Sequence, residues 1–207
     1  MKLYFSPGAC SLSPHIVARE AGVPLDLVKV DLGAKKIDGD GDFLAVNPKG
    51  YVPALQLDDG AVLTEGPAIV QYIADRKPDS ELVPRAGTIE RYRMQEMLGY
   101  ISTEIHKAYS PLFNPSIPAE TAEERKAYLK KRYKLLDERL ADRPYLFGDK
   151  FTAADAYLFT VTNWAGFVKL DLSEFTHLAA FQKRVAARPA VQEAMRAEKQ
   201  PAKQAAA

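Results

Sequence analysis

Short apolar runs separated by turn residues occupy the first part of the chain, a pattern typical of strands that alternate with helices. The runs that predict strands span residues 3–5, 27–30, 52–57 and 61–63. Apolar residues at helical spacing predict helices over residues 11–21 and 68–76, and the Gly- and Asp-rich residues 38–42 predict a loop. The order β-α-β followed by β-β-α indicates a small mixed sheet with helices packed on it.

From residue 88 onward, apolar residues recur at helical spacing and no segment alternates as a strand does. Helices are predicted over residues 89–109, 123–140, 157–168, 178–187 and 191–198. The helix over 157–168 is apolar on nearly every side, so we expect it to be central and buried. A Pro-Asp-Ser break at residues 78–80 separates the two halves. The predicted architecture is an α/β domain over residues 1–79, then an all-helical domain over residues 87–199 and a frayed tail.

Charge and composition exclude several classes of function. The 207 residues carry 28 basic and 27 acidic side chains, so a net charge of +1 attracts neither nucleic acid nor an anionic membrane. No stretch approaches the roughly 20 apolar residues of a membrane span, and the N-terminal apolar run is too short for a signal peptide. We therefore expect a cytoplasmic protein. No cluster of His, Cys and Asp has metal-ligand spacing, and no metal is expected.

Cys10 is the only cysteine, so it has no internal disulfide partner. It follows a Pro-Gly turn and stands before the first predicted helix, where free backbone N–H groups and the helix dipole favour a thiolate. A buried, inert cysteine is the alternative. Lowering a thiol pKa from about 8.5 to about 6.5 takes about 2.7 kcal/mol, whereas a helix terminus supplies at most about 2 kcal/mol. A further donor or cation is therefore required.

Two other segments carry backbone groups that suit a ligand. Val52-Pro53 begins a predicted strand, where an ordinary trans edge proline competes with a cis bond that would turn the Val52 backbone toward a ligand. Glu65 and Gly66 precede Pro67 at a predicted helix start. The carboxylate there can pair with an amine while the Gly66 N–H meets a carboxylate. Plain helix capping is the alternative for this pair.

Polar residues in the helical half have structural interpretations. Thr152 predicts an N-cap, and Asp155 three residues later reaches back to complete a capping box. We expect this pair to serve folding. His106 lies one step off the apolar stripe of its helix, and by itself indicates a surface histidine or one whose hydrogen bonds are satisfied.

Five segments resemble, in order, those of bacterial beta-class glutathione S-transferases, and the likeness runs over nearly the whole chain. They are SPGACSLSPH from residue 6, NPKGYVPAL from 47, LTEGPAI from 63, EIHK from 104 with PLF from 111, and FTAADAYL from 151. The resemblance implies a thioredoxin-like first domain, an all-helical second domain and a homodimer. It also matches Thr152 and Asp155 to the capping box of the family.

The resemblance further implies a glutathione site. The residues that it assigns to glutathione are Cys10, Lys35, Val52, Pro53, Glu65, Gly66, Thr103, Glu104 and His106. The first of these would face the glutathione sulfur and can form a mixed disulfide with it. Val52, before a cis proline, would bind the cysteinyl backbone. Glu65 and the Gly66 N–H would hold the γ-glutamyl end, and Lys35 would reach the glycyl carboxylate.

In the helical half, the resemblance implies that His106 is a catalytic partner of Cys10, and that Thr103 and Glu104 belong to a segment near the dimer interface. Two positions depart from the family pattern. Phe5 replaces a frequent Tyr, so no hydroxyl is available there, and Tyr4 lies on the opposite face of the strand. A glycine at position 99 replaces a common Asn, which removes a side-chain contact with the ligand.

The activity implied is transfer of glutathione, as co-substrate, to a hydrophobic electrophilic small molecule, with the sulfur of glutathione as the main nucleophile. The electrophile pocket is expected near Phe5, Tyr109, Phe113 and either Trp164 or Phe167. The alternatives are glutathione-dependent thiol–disulfide exchange or peroxide reduction through Cys10, and a non-catalytic ligand-binding protein on the same fold.

Overall fold

The computed structural model describes residues 1–38 and 41–199, and its first half contains one sheet. The strands are β1 (Lys2–Phe5), β2 (Asp26–Asp31), β3 (Lys36–Ile37), β4 (Gly41–Asp42), β5 (Ala54–Gln56) and β6 (Val62–Thr64). They are ordered β4-β3-β2-β1-β5-β6. β1 and β2 run parallel, and all other neighbours run antiparallel. The predicted small mixed sheet is confirmed.

Two helices cover one face of this sheet. The side chains of β1 alternate between the two faces, so every second one points toward these helices. Leu3 and Phe5 join the main core with helices α1 (Leu12–Ala21) and α3 (Gly66–Asp75). Tyr4 points to the other face and packs in a second, smaller cluster, as predicted. Residues 12–18 of α1 are all buried, so this helix lies between the sheet and the helical half.

The prediction of a loop over residues 38–42 was wrong in part. Gly41–Asp42 form β4, which pairs with β3, and a short helix α2 (Phe43–Val46) follows. A two-residue strand is too short to produce the alternation from which strands are predicted. Gly39 and Asp40, also part of that prediction, lie outside the described residues.

The second half is helical. Its helices are α4 (Ile89–Tyr100), α5 (Lys107–Tyr109), α6 (Ala119–Arg139), α7 (Ala153–Thr162), α8 (Trp164–Phe167), α9 (Thr176–Ala186) and α10 (Pro189–Lys199). A π-helical segment, Ile101–His106, joins α4 to α5 within the helix predicted over 89–109. Across residues 88–199, the only β pairing is a single bridge between Tyr145 and Gly148. The tail predicted to fray, residues 200–207, lies outside the described residues.

Helix α7 is the centre of the helical half. All ten of its residues are buried, which confirms the predicted burial over residues 157–162. At the end of the same predicted helix the prediction was wrong, because Phe167 is 75% exposed. The predicted helix over 157–168 begins earlier, at Ala153, and is divided at Asn163, where α7 ends and α8 begins. None of the helices in the described part of the chain is long and apolar enough to cross a membrane.

The predicted capping box at the start of α7 is confirmed. The Asp155 carboxylate accepts hydrogen bonds from the backbone N–H of Thr152 at 2.8 Å and from its hydroxyl at 2.6 Å. Its other oxygen accepts the N–H of Leu146 at 2.8 Å. Burial raises the pKa of Asp155 to about 6. This carboxylate therefore ties the turn at Leu146 to the start of α7, and Asp155 does not line the cavity between the two halves.

Polar contacts between the two halves position the loop before α1. The indole Nε1 of Trp164 donates to the Gly8 carbonyl at 2.8 Å, and the Glu198 carboxylate accepts the Gly8 N–H at 3.2 Å. Away from this loop, the buried Arg91 guanidinium donates to the Asp75 carboxylate and to the Pro84 carbonyl. The helical half thus holds both backbone polar groups of Gly8, two residues before Cys10.

Candidate active site

A cavity of about 550 Å³ opens between the sheet edge and the helical half. Its first-half wall comes from the loop before α1, the segment before β5 and the start of α3, and its second-half wall from the π-helical segment, α7 and α8. The predicted site residues that line it are Cys10, Val52, Pro53, Glu65, Gly66 and His106. Because these residues are distant in sequence, only the folded chain brings them together.

Cys10 lies two residues before α1, and its sulfur is a thiol that donates a hydrogen bond to the Val52 carbonyl at 3.2 Å. Burial raises its pKa to about 12, although the N–H groups of Cys10 and Ser11 act in the opposite direction. The N–H groups at the helix start favour a thiolate, as expected, but they do not overcome the effect of burial. Loss of water contact outweighs the two N–H groups, because a sulfur anion depends on solvation more than a neutral thiol does.

The Val52–Pro53 peptide bond is cis. The resemblance implied this geometry, whereas the residues alone favoured an ordinary trans proline. Neither residue belongs to the sheet, because β5 begins at Ala54, so the predicted start of this strand was also wrong. The backbone of Val52 lies against the cavity instead of continuing the ladder, and its carbonyl contacts the Cys10 thiol.

Glu65 forms the part of the cavity nearest the start of α3, and it is the N-cap residue of that helix. Its Oε1 accepts hydrogen bonds from Lys49 Nζ at 2.7 Å and from the Tyr51 hydroxyl at 2.8 Å. These two donors hold its pKa below the usual range. The sequence analysis missed Lys49 and Tyr51. The sequence pattern that could have identified them is two polar residues, separated by Gly50, just before Val52 and the cis Pro53.

Lys35, Thr103 and Glu104 do not line the cavity. The ammonium group of Lys35 donates to the Gly50 carbonyl at 2.8 Å, beside the segment that leads to the cis proline. Thr103 is exposed, and its hydroxyl donates to the Gly99 carbonyl at 3.1 Å. Glu104 pairs with Arg132 at 2.9 Å. Within one chain, the two residues of the π-helical segment therefore face away from the cavity.

His106 and Tyr157 form the polar part of the helical wall. The His106 Nδ1 lies 2.6 Å from the Tyr157 hydroxyl, and its ring meets the edge of Trp164 with ring centroids 4.9 Å apart. Burial, with a smaller effect from Lys107, lowers the pKa of His106 to about 4. Burial raises the pKa of Tyr157. The sequence analysis placed Tyr157 only in an apolar helix, although its hydroxyl was a possible signal.

The remaining helical wall combines three aromatic rings with the polar residues Ser102, Lys107 and Ser110. Phe113, Trp164 and Phe167 line the cavity, and Phe167 is 75% exposed. Two other residues that the sequence analysis placed near the electrophile pocket, Phe5 and Tyr109, are buried and do not line it. One cavity is therefore lined by the Glu65 carboxylate, the Cys10 thiol and a group of aromatic rings, of which Phe167 is open to solvent.

Residues 8–76 match the N-terminal domain of glutathione S-transferases, and residues 100–189 match their C-terminal domain. Glutathione S-transferase GstA of Escherichia coli O157:H7 is 51% identical over 198 residues, which are 96% of this chain and 98% of the relative.

Solved structures agree over the same length. A beta-class glutathione S-transferase of Sphingomonas chungbukensis has a TM-score of 0.93 at 48% identity, covering 96% of this chain and 99% of that one. A sphingomonad glutathione S-transferase solved in complex with glutathione has a TM-score of 0.92 at 45% identity, covering 96% of this chain and 98% of that one. With both domains matched and nearly the whole chain covered, this protein belongs to the glutathione S-transferase family, as an enzyme of the bacterial beta class.

Proposed function

We propose that this enzyme conjugates glutathione to hydrophobic electrophilic small molecules, with the sulfur of glutathione as the nucleophile. The observation that carries the proposal is that one cavity is lined by the Glu65 carboxylate, the Cys10 thiol and the aromatic rings of Phe113, Trp164 and Phe167. A tripeptide with a charged amine and a central thiol, together with an aromatic electrophile, matches this set of groups. A wall of aromatic rings suits an aromatic or halogenated electrophile.

In the proposed complex, the Glu65 carboxylate pairs with the γ-glutamyl amine, and the Gly66 N–H at the start of α3 binds the γ-glutamyl carboxylate. The backbone of Val52, held by the cis Pro53, binds the cysteinyl unit. Lys35 binds the glycyl carboxylate, which requires its ammonium to leave the Gly50 carbonyl that it contacts without ligand. We likewise propose residues 1–79 as the glutathione-binding domain and residues 87–199 as the helical domain.

Cys10 assists the nucleophile in this proposal. With a pKa near 12, its thiol is almost entirely protonated at neutral pH, so it is a poor nucleophile and a competent S–H donor. The Val52 carbonyl that now accepts this S–H is the group proposed to accept the cysteinyl N–H of glutathione. Binding would therefore release the Cys10 thiol and let it donate to the glutathione sulfur anion.

The chemical step displaces a leaving group from the electrophile. The glutathione thiolate forms a carbon–sulfur bond, the carbon–halogen bond of a halogenated arene breaks, and halide leaves with the bonding electron pair. The thiol proton is lost to solvent through the open end of the cavity. The protein supplies orientation and hydrogen bonds to the sulfur anion.

A homodimer completes the proposal. Ile89 and Tyr92 on α4 are 58% and 59% exposed, and such apolar side chains suit burial against a second copy. Thr103 and Glu104, on the π-helical segment that continues α4, face out of their own cavity. We propose that they act near the dimer interface. The predicted cytoplasmic location is kept as part of this proposal.

A second candidate activity uses Cys10 covalently. Its thiol lines the cavity, so glutathione disulfide could exchange with it: a Cys10–glutathione disulfide forms, and one glutathione thiol leaves. The raised pKa makes this exchange slow, which favours conjugation as the main activity.

Steady-state assays with glutathione and a generic activated chloroarene test the main proposal. We expect glutathione-dependent conjugation with saturation in both substrates. Purified dimeric or monomeric protein that binds glutathione by calorimetry but conjugates no arene would reject conjugation and favour exchange. Protein that does not bind glutathione would reject both activities.

A further inference from the structure

The contact between His106 and Tyr157 has a direction that can be read from its length. A hydrogen bond from an imidazole N–H to an oxygen spans about 2.7–3.2 Å, whereas bonds donated by a hydroxyl are shorter, down to about 2.5 Å. The Nδ1 to hydroxyl distance is 2.6 Å. This short distance favours the Tyr157 O–H as the donor and Nδ1 of His106 as the acceptor.

This direction fixes the position of the imidazole proton. The pKa of His106 is lowered to about 4, so the ring is neutral at physiological pH and carries one N–H. Since Nδ1 accepts from Tyr157, that proton lies on Nε2. Within residues 1–38 and 41–199, Nε2 of His106 has no hydrogen-bond partner, and the side chain lines the cavity. The cavity therefore meets an N–H donor and not a lone pair.

We propose that Tyr157 is a positioning residue that holds His106 as the Nε2–H tautomer, so that His106 donates a hydrogen bond to the glutathione sulfur anion. The inference rests on the proposed function, because it assigns the ligand as glutathione. Phe5 has no hydroxyl that could donate a hydrogen bond to the glutathione sulfur. A hydrogen-bond donor on the helical wall therefore matters more for stabilising the sulfur anion. In this role, His106 stabilises the sulfur anion and does not remove its proton.

His15 provides an internal reference, because its contacts predict the opposite tautomer. The Arg19 Nε, which is always a donor, lies 3.4 Å from Nε2 of His15. The Nδ1–H of His15 then donates to the Glu198 carboxylate at 3.3 Å. One spectrum of the protein should therefore contain both tautomers, while the third histidine, His177, is exposed.

The first experiment is a nitrogen–proton correlation spectrum of the histidine rings in the intact wild-type protein, assigned with His106→Gln. We expect the Nε2–H pattern for His106 and the Nδ1–H pattern for His15. In Tyr157→Phe, the His106 signals should shift toward the average of two exchanging tautomers. An Nδ1–H pattern for His106 in the wild type overturns the inference, and so does an unchanged pattern in Tyr157→Phe.

Tyr133→Phe is the matched control. Tyr133 is also fully buried in the helical half, and its hydroxyl bonds to the Tyr109 hydroxyl at 2.9 Å, away from the cavity. It should lose stability as Tyr157→Phe does and leave the His106 tautomer unchanged. If Tyr157→Phe does not fold, the wild-type spectrum alone decides between the two tautomers.

Kinetics provide the second readout. For Tyr157→Phe, we expect kcat for conjugation to fall about tenfold while KM for glutathione changes less than twofold. The pKa of the bound glutathione thiol, followed by thiolate absorbance, should rise by about 1, which is the same tenfold effect. Unchanged kcat in a folded variant overturns the inference. A wild type without glutathione affinity rejects the proposed function but leaves the tautomer result standing.

Discussion

Polar side chains at helix starts have different hydrogen-bond partners in the two halves of the molecule. At the start of α7, the Asp155 carboxylate accepts three hydrogen bonds inside the protein, and Asp155 does not line the cavity between the two halves. At the starts of α1 and α3, the N-cap residues Ser11 and Glu65 make no side-chain cap. Those two starts border the cavity.

The difference separates a folding device from a binding device. A helix start that satisfies its own N–H groups has nothing left to offer a ligand, whereas a start without a side-chain cap keeps donors available for an anion. Glu65 illustrates the second case, because its carboxylate is directed to Lys49 and Tyr51 at the cavity instead of to its own helix. The α7 start and the two cavity-side starts should therefore respond differently to substitution.

The largest effect is expected from Asp155→Ala, which should lower the free energy of unfolding by about 3 kcal/mol. It leaves the buried N–H groups of Leu146 and Thr152 without acceptors. Urea denaturation measures this loss. Asp171→Ala removes an exposed carboxylate that accepts the Ser173 N–H and should cost less than about 1 kcal/mol. Equal losses in the two variants would contradict a special role for the α7 start.

Glu65→Gln should have the converse effect, weakening glutathione binding by about 10- to 100-fold, or about 1.4–2.8 kcal/mol. The neutral amide cannot pair with the γ-glutamyl amine, while stability should change little because this side chain is half exposed. Titration calorimetry measures affinity, and Glu120→Gln, an exposed acid at the start of α6, is the control. A loss of stability without a loss of affinity would make Glu65 a folding residue like Asp155.

The pH dependence of stability should have opposite signs in the two regions. The pKa of His106 falls from 6.5 to about 4 in the folded protein, so its contribution is present above pH 6.5 and is lost as pH falls toward 4. The pKa of Asp155 rises from 3.8 to about 6, so its contribution is present below pH 3.8 and is lost as pH rises through 6.

Denaturation of His106→Gln and Asp155→Asn between pH 4 and 6.5 tests these signs. As pH falls, the wild type should lose about 2–3 kcal/mol relative to His106→Gln and gain a similar amount relative to Asp155→Asn. Lys107 and Glu65 act on His106 from the same cavity, so both variants retain them. Parallel pH curves for all three proteins would contradict the assignment.

The smallest effect is expected from Cys10→Ala, which should reduce kcat for conjugation only a few-fold. The proposed nucleophile is the glutathione sulfur, and the thiol of Cys10 supplies one weak hydrogen bond. Mass spectrometry after incubation with glutathione disulfide should show a glutathione adduct on the wild type and none on the variant, because no other cysteine is present. Loss of all conjugation in Cys10→Ala would make Cys10 the nucleophile.

Much of the fold was predictable from local patterns. The α7 capping box needs only Thr152 and Asp155 three residues apart, and the burial of α7 follows from its apolar composition. Strands β3 and β4 were not predictable, because two residues carry no period. Tyr157 was missed as a site residue because an apolar helix gives no sign of which side chain meets a cavity from the other half.

The sequence by itself determined the sheet-then-helices order, the capping box and, through five matching segments, the family and a set of candidate site residues, of which six line one cavity. Tertiary structure alone decided the state of the groups in that site. Burial keeps Cys10 a thiol bonded to Val52, and it keeps His106 neutral beside Tyr157. Charge state depends on solvation and on neighbours many residues away, and neither is a property of local sequence.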